Sequence, residues 1–248
     1  MTSWLRLGDN ARVATDPVHI VVHDRGRELS GAARPGESWA AAARRTCASM
    51  HTEPEPLDLS GEVKLFVVDH DVRVGIRAMT RGDLPDMARW RAADHVRRWF
   101  AAGEPTLEMV EGKYGPDIDG ITPTRMWVVE VNGRSVGFVK DYRIGDYPDY
   151  AVLGPDPEAI GVDYAIGESA WVGRGLGVRM LWAWMGRARA RFPEATAYFA
   201  APDHRNVASL RILRKAGFTE GLWFDEPQDD GSVTTMVGNT LDVHHVIG

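Results

Sequence analysis

The stretch from Ile160 to Gly177 constrains the fold more than any other part of the chain. Apolar side chains alternate from Ile160 to Ile166, which is typical of a strand. A glycine-rich turn follows, and from Val178 the apolar spacing becomes helical. A strand, a glycine-rich turn and a helix N-terminus together leave backbone N–H groups free to bind an anion, and the helix dipole favours negative charge. The sequence therefore predicts a phosphate or pyrophosphate site at this turn.

This turn matches neither of two common nucleotide-binding motifs. It lacks the Lys-Ser/Thr pair that completes a mononucleotide P-loop, and its glycines do not complete a dinucleotide fingerprint. A glycine-rich connection that only packs a helix against a sheet would show the same pattern. The turn alone does not distinguish an anion site from a packing connection, so the distinction has to come from the segments that follow it.

Charge and cysteine content narrow the class of function. A net charge of −6 argues against a nucleic-acid binder, which would show a basic face, and is compatible with a cationic small-molecule substrate. The single cysteine, Cys47, excludes an internal disulfide and suits a reducing cytoplasm. No apolar run approaches the ~18 residues of a membrane span, and the N-terminus has no apolar signal core. We therefore expect a cytoplasmic protein without a nucleic-acid or membrane partner.

We expect two parts in the chain, a small strand–helix–strand extension over residues 1–71 and a main domain over residues 72–248. No catalytic motif stands out in the extension, and its His19 and His23 are interpreted as strand residues. The elements predicted for the extension are strands at Val18–His23 and Val63–Val68, a turn at Asp24–Arg27, a helix at Ser38–Ala48 with Ser38 as N-cap, and a break at Thr52–Pro56.

The main domain is predicted to alternate strands and helices around one hairpin. Asn132-Gly133 between two apolar runs indicates a two-residue hairpin turn. Thr80 and Asp83 form a helix-start box, and Gly217 is a helix stop. The remaining elements are predicted as a strand at Val72–Met79, helices from Leu84, Asp94 and Thr106, the last ending at Gly115-Pro116, a loop at Asp141–Glu158, a strand at Ala195–Ala200, a helix at Val207–Lys215 and a hairpin at Phe218–Phe224 and Val233–Val237.

This order of elements and two motifs resemble the GNAT acyltransferase superfamily. Gly173–Gly177 is similar to its pyrophosphate-binding signature, and Asn206 with Ser209 and Lys215–Phe218 is similar to its second acyl-CoA element. The likeness runs from about Val72 to the C-terminus. It implies a mixed α/β (α+β) fold with a mostly antiparallel central sheet, a splayed parallel pair of strands and flanking helices.

A closer likeness is to the aminoglycoside 6'-N-acetyltransferases and the siderophore-pathway acyltransferases. It rests on His95–Phe100, Ile160–Asp163 and Pro202–Asn206. Three positions depart from the family pattern. Val172 stands where Gln or Arg is usual, Leu213 where many members have a tyrosine that acts as general acid, and Ala201 where both branches tend to have an acid.

The resemblance implies acetyl-CoA or another acyl-CoA as co-substrate, with no metal, and a small-molecule amine as acceptor. Asp163 is the expected base or ammonium anchor, with Asp203 as a second catalytic candidate, and backbone N–H groups at Ala165–Gly167 would hold the thioester oxygen. The expected cofactor-binding residues are Ala165, Ile166, Gly167, Val172, Gly173, Arg174, Gly175, Leu176, Gly177, Val178, Asn206, Ser209 and Lys215.

The acidic segment after the hairpin is a candidate rim for a polycationic acceptor, although an ordinary solvated loop would have the same composition. The expected substrate-binding residues are Trp99, Asp141, Tyr142, Asp146 and Tyr147. Three functions remain open: an N-acyltransferase for a small amine, with aminoglycosides as one class; a siderophore-type acyltransferase for a hydroxylamine or lysine side chain; and a CoA-binding sensor without turnover. A monomer and a homodimer are both compatible with the sequence.

Overall fold

The computed structural model describes residues 17–48, 53–100, 104–147, 156–228 and 231–248. Its strands are β1 His19–Asp24, β2 Arg27–Ala32, β3 Glu55–Asp58, β4 Val63–Val68, β5 Val74–Ala78, β6 Arg125–Val131, β7 Arg134–Arg143, β8 Ile160–Ile166, β9 Ala197–Ala200, β10 Thr219–Pro227 and β11 Val233–Asp242. Its helices are α1 Trp39–Thr46, α2 Leu84–Ala92, α3 Asp94–Arg97, α4 Leu107–Ile118, α5 Leu176–Arg191, α6 Val207–Lys215 and α7 Val243–Val246.

The larger of two sheets has seven strands in the order β10-β11-β9-β8-β7-β6-β5. Among the described strands of this sheet only β8 and β9 run parallel to each other, and their pairing is limited to Ile160 with Tyr198 and Gly161 with Phe199. Beyond Gly161 the two strands separate, and in the described part of the chain no strand pairs with that edge of β8. The expected mixed sheet with a splayed parallel pair is therefore confirmed.

A four-stranded sheet, in the order β2-β1-β4-β3, precedes the larger one. Two of its strands, β2 and β3, were not expected from the sequence. Arg25 and Gly26 both have positive φ and form a tight turn between β1 and β2. The turn was expected, but the strand that follows it was not. The break expected at Thr52–Pro56 instead leads into an edge strand, β3, which begins at Glu55, because a proline that cannot donate to the ladder is tolerated at an edge.

One large apolar core joins the two sheets through α5, which buries Leu181, Trp184 and Met185 against both. A second cluster lies between α2, α4 and the β6–β7 hairpin and is centred on the fully buried Trp90. The hairpin has the predicted turn, with Asn132 at φ 51° and Gly133 at φ 76°. These two cores fix β8 between them, with one face toward each.

Several boundaries differ from those expected. The last hairpin is longer, since β10 ends at Pro227 and β11 at Asp242 and not at Phe224 and Val237. Helix α4 continues through Pro116 to Ile118, because the fixed φ of proline suits a helix and the missing N–H costs a single bond near its end. The expected loop from Asp141 begins later, since β7 extends to Arg143 by pairing with Ile160. Within the described ranges, no helix has the length and hydropathy needed to cross a bilayer.

Candidate active site

A large cleft follows the separated strands β8 and β9 and has a volume of about 1040 Å³. Its walls come from α3, β7, β8, the glycine-rich turn, α6 and the β10–β11 hairpin. That volume is at the upper end of small-molecule pockets, which suits two substrates held end to end. The glycine-rich turn lies at one end of the cleft and the acidic side chain of Asp163 lines its other part.

The glycine-rich turn presents its backbone to this cleft. Gly173 and Gly175 have φ of 77° and 76°, and a Cβ at either position would meet no atom within 4 Å. Helix α5 begins directly after Gly175, and the N–H groups from Gly173 to Val178 have no backbone acceptor among the described residues. At Gly177 a Cβ would lie 2.5 Å from Ile212, so glycine here lets α6 pack closely against α5. The predicted anion site is thus open and rich in donors.

The edge of β8 that does not pair with β9 offers further backbone N–H donors beside those of the glycine-rich turn. Gly167 donates its N–H to Val136 O at 2.8 Å and so faces β7. Because donors alternate along a strand, the amides of Tyr164 and Ile166 face the separated side. The expectation that Gly167 holds the thioester oxygen is therefore wrong, since its N–H is occupied and its Cα lies against Trp90. The same alternation turns Ala165 toward β7 and leaves Ile166 as the available donor.

Helix α6 closes the cleft opposite this edge. Its N-cap is Asn206, whose Oδ1 accepts from Ser209 N at 3.1 Å. The Ser209 hydroxyl lies 2.8 Å from the Tyr164 hydroxyl, so a hydrogen bond spans the gap between α6 and β8. Leu213 is fully buried in the apolar core and does not face this gap.

Asp163 points to the face of β8 opposite Tyr164. Its carboxylate is 3.9 Å from Lys140 Nζ, and 42% of the side chain remains exposed to the cleft. Burial deep in the cleft raises the pKa of Asp163 above its ordinary value, while Lys140 and Lys113 oppose that change. A carboxylate that is accessible and more basic than usual is a better proton acceptor than an ordinary aspartate.

Glu226, on β10, is a second acid in this part of the cleft and was not among the residues expected from the sequence. Burial raises the pKa of Glu226, and the charge of Asp163 adds to this effect. The two carboxylates therefore interact across the cleft. No local sequence signal pointed to Glu226, because only the pairing of β10 with β11 brings it to this position.

Asp203 lines the cleft, but its carboxylate is already engaged. Oδ1 accepts from Arg205 N at 2.8 Å and from Arg205 Nε at 2.9 Å. The hydrogen bond from Arg205 holds the pKa of Asp203 below its ordinary value. The structure therefore favours a role of Asp203 in shaping the loop before α6 over the expected catalytic role.

Three expected substrate-binding residues lie elsewhere. Asp141 is fully buried, and its Oδ2 accepts from Trp127 Nε1 at 2.6 Å and Trp184 Nε1 at 3.0 Å, so it cannot contact a substrate. Asp146 is exposed and Tyr147 bonds to Thr124, and neither is among the described residues that line the cleft. None of the described acidic side chains of the segment from Asp141 to Glu158 is therefore among the residues that line the cleft. Asp149, in the same acidic segment, lies outside the described residues.

The cleft brings together most of the other expected residues. Arg174 is the exception, since its guanidinium lies over the Trp171 ring at 5.2 Å and is not part of the described lining. Lys215 lines the cleft, but its Nζ is 3.1 Å from Asp58 Oδ2. The expected residues found in the lining are Trp99, Tyr142, Asp163, Ala165, Ile166, Val172, Gly173, Gly175, Leu176, Gly177, Val178, Asp203, Asn206, Ser209 and Lys215.

The residues present fit coenzyme A. The open glycine turn offers several N–H groups to a diphosphate, and the unpaired edge of β8 offers amides to a chain of peptide-like groups. Arg211 adds positive charge to the lining of the cleft, whereas the charge of Lys215 is paired with Asp58. Bound there, an acyl-CoA would supply an activated acyl group.

Comparison with known proteins supports this fit. Residues 80–225 match the family model described as an acetyltransferase (GNAT) domain. Aminoglycoside N(6')-acetyltransferases type 1 from Klebsiella pneumoniae and Serratia marcescens are each 27% identical over 179 residues, which cover 70% of this chain and 83% of theirs.

Solved structures agree with the sequence relatives. Aminoglycoside acetyltransferase AAC(6')-Ib in complex with coenzyme A has a TM-score of 0.57 at 26% identity, covering 66% of this chain and 94% of that one. Its complex with coenzyme A and kanamycin gives the same values. The family match extends over more than half of the chain and includes the glycine turn, β8 and α6. The chain therefore belongs to the GNAT acetyltransferase family and is an acetyl-CoA-dependent N-acetyltransferase.

Proposed function

We propose that this enzyme acetylates a primary amine of a small cationic molecule, with the aminoglycosides as the first class to test. The observation that carries this proposal is the continuous cleft, which joins donors for a diphosphate, a free strand edge and the accessible carboxylate of Asp163. Relatives with 27% identity that act on aminoglycosides support the acceptor class.

Asp163 acts as the base in this proposal. An amine with a pKa near ~10 is neutral in only about one molecule per thousand at pH 7, so a group that removes its proton accelerates transfer. The raised pKa of Asp163 makes it a better proton acceptor than an ordinary aspartate. The N–H of Ile166 stabilises negative charge that develops on the acyl oxygen. Trp99 and Tyr142 form apolar walls that limit access of water.

Glu226 orients the acceptor. Its carboxylate and that of Asp163 interact across the cleft, so a molecule with several amino groups can contact both. Contact with a cation lowers the cost of ionising two neighbouring carboxylates. We therefore infer that Glu226 holds an amino group that does not react.

A second acceptor class is supported by the lysines beside Asp163. Lys140 and Lys113 give this end of the cleft a positive wall. An acceptor that carries a carboxylate besides its amine, as the lysine substrate of a siderophore-type enzyme does, would find a partner there. Lys140 is the residue that distinguishes the two classes.

The test is the release of thiol from acetyl-CoA with a panel of acceptors. The panel contains kanamycin, a simple diamine and free lysine, and mass spectrometry identifies the product. Turnover of kanamycin or the diamine supports the cationic class, and preference for lysine supports the second class. Tight binding of acetyl-CoA without turnover of any amine would contradict the proposal and would favour a CoA-binding sensor.

Residues 1–71 are proposed to support the cofactor end of the cleft. The buried Arg179 of α5 contacts Glu55 and Asp69, with Asp69 Oδ2 at 2.8 Å from Nη1. Leu59 donates its N–H to Lys215 O at 2.7 Å at the end of α6. Both helices that shape the cleft are thereby held from outside the family-matched segment. We further propose that the enzyme works in the cytoplasm, as a monomer or homodimer, without nucleic acid or membrane.

A further inference from the structure

We propose that Tyr164 donates a hydrogen bond to the sulfur of coenzyme A as the acyl group leaves, a role that places a catalytic group on β8. The inference rests on the proposed function and assigns one more residue to the same cleft. Its starting point is Leu213, which is fully buried and carries no hydrogen-bond donor in its side chain. Position 213 therefore contributes nothing to the leaving group.

Tyr164 is well placed for this task. It lies in the segment of β8 that has separated from β9, and its side chain lines the cleft. Its hydroxyl is 2.8 Å from the Ser209 hydroxyl, one helical turn after the N-cap Asn206. The phenol therefore stands between the two elements that bound the cleft, next to the strand edge that offers amides to the cofactor.

The hydrogen bond to Ser209 can orient the phenol. A hydroxyl donates one hydrogen bond and accepts others. When Ser209 donates to the Tyr164 oxygen, the phenol proton is free for a second acceptor inside the cleft. Burial raises the pKa of Tyr164, so the phenol stays protonated across the working pH range. Ser209 is thus a positioning residue for a permanent donor.

The step balances without a further reactant. The amine nitrogen forms a bond to the acyl carbon, the carbon–sulfur bond breaks and its electron pair passes to sulfur. Asp163 accepts the amine proton, and Tyr164 keeps its own proton while donating a hydrogen bond to the developing thiolate. The thiolate takes a proton from water on release. A thiol with a pKa near ~8.5 leaves readily as an anion, so a hydrogen bond is sufficient help.

The pKa of the thiol of bound coenzyme A tests this role without an acceptor. It is measured from the ultraviolet absorbance of the thiolate as a function of pH, by difference against desulfo-CoA. A hydrogen bond to a charged group predicts a pKa higher by about 1 in Tyr164→Phe than in the wild type. Tyr198→Phe is the matched control, since it removes a phenol hydroxyl that is fully buried on β9. An equal thiol pKa in the wild type and Tyr164→Phe would overturn the inference.

Kinetics give the second readout. We expect kcat to fall on the order of 10- to 100-fold in Tyr164→Phe at an unchanged Kd for CoA. Ser209→Ala should lower kcat much less. If the hydrogen bond between Tyr164 and Ser209 only stabilised the structure, both variants would lose the same activity. If Tyr164→Phe does not fold, the isosteric pair Tyr164→Gln and Tyr164→Met replaces it, and equal thiol pKa values in that pair overturn the inference.

The outcomes separate this inference from the proposed function. A thiol pKa that depends on Tyr164 in an enzyme that acetylates no amine supports the donor and contradicts the acceptor assignment. Turnover of amines together with a thiol pKa that is the same in the wild type and in Tyr164→Phe supports the acceptor assignment and contradicts the donor role of Tyr164. Failure of the wild type to bind CoA at all would contradict both.

Discussion

The two ends of the cleft are built in different ways. The cofactor end is made mostly of backbone, from Gly173 to Val178 and along the edge of β8. The acceptor end is made of side chains from α3, β7, β8 and β10, among them Asp163 and Glu226. Backbone donors are fixed by local chain geometry, whereas side chains from separate elements converge only after folding. The first end can therefore stay constant in a family while the second changes its substrate.

This contrast predicts the largest effect at Asp163. Replacement by Asn removes the proposed proton acceptor and should lower kcat/KM on the order of 10² to 10⁴, with the Kd for acetyl-CoA unchanged. In the wild type, activity should fall with decreasing pH as the carboxyl is protonated, at a higher pH than for an ordinary aspartate, because its pKa is raised. The pH profile of kcat/KM measures this limb.

The control for that variant is Asp71→Asn, which removes an exposed carboxylate outside the cleft. It should retain wild-type kinetics. An Asp163→Asn enzyme that keeps both its rate and its acid limb would show that the acceptor end works without this base.

Asp141 tests whether an acidic residue beside the cleft belongs to the scaffold. Asp141→Ala leaves two indole N–H groups without an acceptor, that of Trp184 buried and that of Trp127 partly buried, and should lower the free energy of unfolding by about 3 kcal/mol. Denaturant unfolding measures this change. Asp119→Ala removes a surface carboxylate paired with Arg81 and should have a much smaller effect. Equal stability of the two variants would contradict the buried position of Asp141.

The cofactor end is tested by one glycine and its matched control. Gly175→Ala and Gly133→Ala each place a Cβ at a positive φ in open space, so both should lose similar stability. Only Gly175→Ala should weaken CoA binding, by about tenfold, because its methyl group shifts the donors of the turn. Isothermal titration calorimetry measures the Kd. The same loss of affinity in both variants would assign the effect to stability alone.

The smallest effects are expected at the charges of the acceptor end. Glu226→Gln should raise KM for a polycationic acceptor by about threefold, and Lys140→Met should lower it; both effects are small because a single charge that is still partly exposed to solvent contributes little. For an acceptor with a carboxylate, Lys140→Met should instead raise KM. Steady-state kinetics with kanamycin and lysine measure both. Responses of the same sign for both acceptors would contradict the assigned roles of these side chains.

The same contrast explains which parts of the structure could be predicted from the sequence. Helix Val207–Lys215 and the Asn132-Gly133 turn were predicted correctly because caps, periodicity and turn residues act within a few positions. The glycine turn at the start of α5 was predicted for the same reason. These signals are local, and they locate the cofactor end of the cleft.

The acceptor end depends on contacts that no local pattern encodes. The segment that begins at Asp141 has the composition of a loop. Pairing with Val162 and two indole donors from distant elements nevertheless place Asp141 in a buried part of a strand. Glu226 reaches the cleft only through the register of β10 with β11. Strand β3 was missed because a proline is excluded from central strands but not from edges. Tertiary pairing decided each of these positions.

The central claim is that the backbone amides of the glycine turn bind the diphosphate of coenzyme A. Hydrogen exchange of the individual amides, measured by NMR with and without CoA at a saturating concentration, tests it most directly. The account predicts slower exchange and large shift changes from Gly173 to Val178, with little change in the Asn132-Gly133 turn. Tight CoA binding that leaves the exchange rates of Gly173 to Val178 unchanged would contradict it.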